Sequence, residues 1–167
     1  MRLRNIFLIY ISCLLSLDTL SQEFIVSKDI RIELPQAPVI AHSGGSVLFK
    51  YPDWVLSHEA LNPKTFYAGV DLTGQLQTYI RNIFEPKKGD LVSWLQIMAK
   101  EQAAAFKVTD KNSSKFQVKE FTVYFVFDGG ERNGHVFLLG KDYASHFNII
   151  SDEQEFLAFL ALLKGSI

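Results

Sequence analysis

The strongest apolar patterning lies between Lys119 and Lys141, KEFTVYFVFDGGERNGHVFLLGK, where two strand-length runs flank a Gly-rich polar stretch. Phe121 to Phe127 is aromatic and β-branched, and too short to favour a helix. Val123, Phe125 and Phe127 fall on one face, and Thr122, Tyr124 and Val126 on the other. Both faces are largely apolar, so both sides of this strand are expected to be at least partly covered. His135 to Leu139 is the natural antiparallel partner. Between them, Asp128-Gly129, Gly129-Gly130 and Asn133-Gly134 each offer a site for positive φ, and several registers fit.

Upstream, Phe24 to Val26 and Ile30 to Leu34 alternate as short strands that Pro35 and Pro38 end. Ala41 to Ser46 reads as a turn, and Val47 to Tyr51 as a strand. Pro52-Asp53 opens a short helix or irregular excursion reaching Asn62-Pro63, and Thr65 to Val70 returns as a strand. The middle is helical. Leu76, Tyr79, Ile80, Ile83 and Phe84 recur at three- and four-residue spacing, with Asp71 or Thr73 as cap and Glu85-Pro86 as stop. After Lys88-Gly89-Asp90, Leu91, Trp94, Leu95, Met98 and Ala105 form a second apolar stripe, with Lys100 and Glu101 outward. Lys111 to Ser114 reads as a polar turn before the hairpin. Ser145 to Ile150 suggests another strand, and Ser151 to Gln154 a capping box. It opens a helix that buries Phe156, Phe159, Leu160 and Leu163 and stops at Gly165. The expected fold class is α+β, an antiparallel sheet with a long central hairpin covered by two middle helices and a C-terminal amphipathic helix.

The N-terminus changes the compartment. Arg2 and Arg4 precede an apolar run from Ile6 to Leu17 that is short for a membrane span, which is a signal-peptide pattern. Cleavage after Ser21 is expected to leave a single domain over residues 22–167, periplasmic or secreted; an uncleaved anchor is the rival reading. Cys13 is the only cysteine and lies in the leader, so the processed chain lacks a thiol nucleophile, a zinc-thiolate site and a disulfide scaffold. Lipoprotein anchoring at Cys13 is the lesser alternative. In the 167-residue chain, 48% is hydrophobic and 21% charged, with formal charge −1, as in an ordinary globular protein. Lys100, Lys107, Lys111, Lys115 and Lys119 interleave with Glu101, Asp110 and Glu120, which reads as a solvated face and not as a nucleic-acid surface. Asn112-Ser113-Ser114 is a glycosylation sequon only in a eukaryotic secretory pathway.

Catalytic signatures are weak. His42, His58, His135 and His146 include no HExxH and no closely spaced pair. Ser43-Gly44-Gly45-Ser46 and Ser57-His58-Glu59 lack the form of a nucleophile elbow, and Lys87-Lys88-Gly89-Asp90 lacks phosphate-loop spacing. The carboxylates Asp53, Asp71, Asp128, Glu131 and Asp142 can act as acid and base only if folding pairs them. No catalytic residue, cofactor or metal is therefore expected. The segment Asp128 to Gly134 lacks the alternating oxygen ligands of a calcium loop, and Asp128, Glu131, Arg132 and Asn133 are its candidate partner contacts.

VLFKYPDW (Val47 to Trp54), the hairpin, and FNIISDEQEFLAFLALL (Phe147 to Leu163) together resemble the PsbP-like small α+β domains, which include bacterial envelope proteins of the DcrB type. That resemblance implies binding or assembly, and in some members immunity against secreted toxins. The leading expectation is an exported, non-catalytic protein-binding domain, in its most concrete form an immunity protein neutralising a periplasmic toxin. Its partner is expected to be another protein, toxin or envelope component, with no nucleic acid and with membrane contact only through an uncleaved leader or lipid. The alternatives are an envelope assembly factor or small-ligand carrier, and a hydrolase built from distant His and Asp residues.

Overall fold

The computed structural model describes residues 22–35, 38–64 and 70–166. The leader with Cys13, and the strand expected over Thr65 to Val70 apart from Val70 itself, lie outside the described residues. The chain divides into two units, Met1–Ala37 with Ile167 and Pro38–Ser166. In the first, β1 (Gln22–Ser27) and β2 (Ile30–Leu34) form an antiparallel hairpin. Ser27 Oγ accepts from the backbone N–H groups of Asp29 and Ile30, both at 3.2 Å, which satisfies the donors of the tight turn.

In the second unit the described strands form one open antiparallel sheet, in the order β3-β4-β5-β9-β8-β7-β6. These are β3 (Val39–Ser43), β4 (Ser46–Lys50), β5 (Val55–Ala60), β6 (Ser113–Val118), β7 (Phe121–Asp128), β8 (Asn133–Leu139) and β9 (Ala144–Ile150). The helices are α1 (Leu76–Phe84), α2 (Ser93–Ala105) and α3 (Glu153–Lys164). With the two strands of the first unit this is an α+β chain of nine described strands and three described helices.

Side chains opposite one another across strands share a face. Tyr124, Phe137, Leu139 and Ala144 pack on that account with Leu76, Tyr79, Ile80 and Ile83 of α1 and Leu95 and Ala99 of α2. On the other face Phe127 stacks on Phe156 of α3 at 4.8 Å, and Phe147 meets Phe159 at 5.1 Å. Two polar links tie α1 to the sheet. Gln77 Nε2 donates to the carbonyls of Gly140 and Lys141, and Tyr124 donates its phenol to Glu85 at 2.9 Å. Lys115 also reaches Glu85, and it is the main cause that holds this carboxyl below the usual range.

Several local expectations change. The segment expected as a turn from Ala41 is mostly β3, and only Gly44-Gly45 turns. The excursion after Pro52 is instead β5, which alternates Val55, Ser57 and Glu59 with the buried Leu56 and His58. The polar turn at Lys111 to Ser114 gives way to β6 at Ser113. β5 acquires ladder bonds from β9, remote in the chain, while β3 and β6 stand at the two edges of the sheet and pair only with their hairpin neighbours β4 and β7, a placement that no local pattern announces. Helix ends shift for a similar reason. Asp71 accepts from Thr73 N–H in a turn, and Gln75 caps α1 without a side-chain bond. Asp152, not Ser151, caps α3, accepting from the N–H groups of Gln154 and Glu155 at 2.9 and 3.1 Å. Trp94 and Ala105, expected in the buried stripe of α2, are exposed.

In the β7–β8 hairpin Asp128 pairs with Asn133, so the loop is Gly129 to Arg132. Its positive φ, 53°, falls on Arg132 and not on the expected glycines. Gly134 serves a different purpose, because a methyl built on it would overlap the buried Phe156 ring. Gly134→Ala should therefore cost about 1–3 kcal/mol in urea melts by overpacking. Gly129→Ala, whose added carbon would find its nearest neighbour at 3.9 Å, should change the midpoint little.

Candidate functional site

The sequence-predicted loop is bound into its own domain. Lys107 follows α2 with φ 54°, and its ammonium meets Asp128 at 2.6 Å and Glu131 at 2.7 Å. Its bond to Lys107 is the main cause holding the Asp128 carboxyl below the usual range, and the same contact raises Lys107. The Arg132 carbonyl accepts from Ser151 N–H at 3.0 Å, and Asn133 Oδ1 accepts from Asn148 Nδ2 at 2.6 Å. Three of the four predicted contact side chains thus hold internal partners, and the fourth residue is held through its backbone.

Folding brings together two histidines that are eleven positions apart. His135 Nδ1 and His146 Nε2 share a hydrogen bond at 3.0 Å, with the rings nearly parallel. Phe106 stacks on His135 at 4.0 Å, and Phe137 on His146 at 4.4 Å. Burial pushes His135 down to about 4, and burial with the neighbouring His135 and His58 pushes His146 to about 3. The signal for this pair was the short link between β8 and β9. An antiparallel register that sets His135 against Asn148 necessarily sets Phe137 against His146 and leaves both imidazoles on one face.

The other candidates separate. His58 is buried on the opposite face and its pKa falls to about 4 by desolvation, while Ser57 and Glu59 point the other way along β5. Ser43 pairs with Ser46 around the Gly44-Gly45 turn, and His42 lies exposed on β3. Asp53 and Asp142 are exposed, and Asp71 closes its local turn. Among the described residues no three His, Cys, Asp or Glu side chains converge as a metal site, and no described helix is long and apolar enough to cross a membrane.

The surface that stands out is the sheet edge at β3. Every residue of VIAHS is exposed, Val39 at 70% and Ile40 at 39%, and the strand carries no charge, proline or bulge. Such devices ordinarily protect an edge from further pairing. The two-residue Gly44-Gly45 loop makes Ser43 and Ser46 the hydrogen-bonded pair. By alternation, Ile40 and His42 then turn their backbone groups away from β4. The opposite edge differs. There β6 bears Lys115 and lies beside α3, with Lys164 over the Phe116 ring at 4.7 Å. Beside β3, Leu48 and Ile150 extend the apolar exposure across the same sheet face as Val39. No protein-family model matches the chain, and no curated protein matches it in sequence.

Proposed function

We propose that the chain is an exported, non-catalytic protein-binding domain whose partner, a toxin or an envelope component, adds an extended segment to β3. The observation that carries this reading is the uncharged, unbulged edge VIAHS, with outward backbone groups at Ile40 and His42. Strand addition draws affinity from main-chain bonds and specificity from alternate side chains, for which Val39 and Leu48 supply an apolar floor. The resemblance of Val47 to Trp54 and Phe147 to Leu163 to PsbP-like domains favours the same role.

The test is capture of a partner from envelope extract, with a photo-crosslinker at Val39, by the wild-type chain and by His42→Pro and Ile40→Lys. The proline removes an outward N–H, and the lysine adds the charge that protected edges carry. Both variants should lose the crosslinked partner at least tenfold by order of magnitude while keeping the wild-type melting temperature. Equal capture by His42→Pro, or no specific crosslink from the wild type, would overturn the reading.

A further inference from the structure

A groove of about 640 Å³ runs between α1 and α2, remote in sequence from β3. Ile83, Pro86, Ile97 and Ala103 supply apolar wall, and Ile97 is 59% exposed. The polar residues that line it are mostly committed elsewhere. Asn82 donates to the Thr78 carbonyl at 2.9 Å and accepts from Lys87 N–H, and Gln96 donates to the Lys87 carbonyl at 2.9 Å. What remains to meet a ligand is hydrocarbon, the Ser93 side chain and two cations, Lys88 and Lys100. Among the described residues neither lysine has an ion-pair partner, whereas Lys87 beside them is paired with Asp90.

We infer that this groove binds a single-chain anionic amphiphile, a medium-chain carboxylate with its tail along α2 and its head between Lys88 and Lys100. The volume falls in the range of roughly 300–1,000 Å³ that small-ligand sites occupy. Ser93 to Ala103 spans about 15 Å at a rise of about 1.5 Å per residue, a run suited to an extended alkyl chain. The site is concave, which favours a dissolved molecule over a flat lipid surface. Two ammonium groups without carboxylates select a negative head. This inference is independent of strand addition at β3.

The test is calorimetric titration of the full chain with sodium dodecanoate below its micellar concentration, beside dodecanol, dodecyltrimethylammonium and phosphatidylglycerol vesicles. The expected result is saturable binding of one dodecanoate, with dodecanol and the cationic amphiphile at least about tenfold weaker. Ile97→Glu and the double change Lys88→Glu with Lys100→Glu should each weaken dodecanoate at least about tenfold. All these positions are exposed, so melting temperatures should hold. Absence of saturable dodecanoate binding, equal affinity for the cationic amphiphile, indifference to Ile97→Glu, or binding to vesicles alone would each overturn the inference. His42→Pro, which blocks the β3 edge, should leave dodecanoate binding unchanged.

Discussion

Acidification from pH 7 to pH 5 should cost the folded chain several kcal/mol, at the order of about 6 kcal/mol if three histidines respond independently. Burial lowers His58 and His135 to about 4 and His146 to about 3. An unfolded histidine protonates near pH 6.5, so below that value the unfolded chain binds protons that the folded chain refuses. Stability is therefore full above the unfolded pKa and falls as pH drops from about 6.5 toward about 4, by about 2 kcal/mol per histidine at pH 5. The His135 and His146 pair shares one hydrogen bond and titrates as a unit, so the pair, and not either ring alone, sets its part of the pH dependence. Ordinary carboxylates titrate lower and contribute little in this window. Urea melts at pH 7 and pH 5 check the expectation, and equal midpoints would show that the imidazoles are open to water. His135→Gln should flatten the dependence, because it removes one titrating ring and one charge facing His146.

Phe137→Ala should cost about 3–5 kcal/mol. The side chain is fully buried on β8, against Phe84 at 5.8 Å and Phe106 at 5.9 Å, and stacked on His146. Phe84 closes α1 and Phe106 follows α2, so the ring joins both helices to the sheet. Its removal leaves a cavity that neither helix can fill without leaving the other. Phe125 lies on the same hairpin but is only partly buried, and Phe125→Ala should cost less. A second readout separates packing from electrostatics. Loss of the Phe137 ring admits water beside His146, so the variant's stability should depend less on pH between 7 and 5 than that of wild type. A loss under about 1 kcal/mol in the melts would mean that the site collapses freely.

What was legible in the sequence was what burial marks locally. The runs at Phe121 to Phe127 and Ser145 to Ile150, the spacing of Tyr79, Ile80 and Ile83, and the stripe Phe156, Phe159, Leu160 and Leu163 are apolar at the period of their own elements. The half-polar strands β3, β5 and β6 carried no such mark. Trp94 is the opposite case, since its helical spacing predicts a place in the core and it lies outside it. The candidate loop, expected over Asp128 to Gly134, is shorter, Gly129 to Arg132, with Asp128 and Asn133 paired in the strands, and its charges are engaged by Lys107, whose position depends on where α2 ends.

By itself, then, the sequence determined the class, α+β, the apolar strands and helix faces, and the lack of any local catalytic motif, because hydrophobic period and turn chemistry act over a few residues. Only the tertiary structure decided which strand stands at the edge, that His135 and His146 share a hydrogen bond, and that Lys88 and Lys100 line one groove. Those juxtapositions depend on strand order and helix placement, which are set by the joint burial of faces remote in the chain and are written in no single stretch of it.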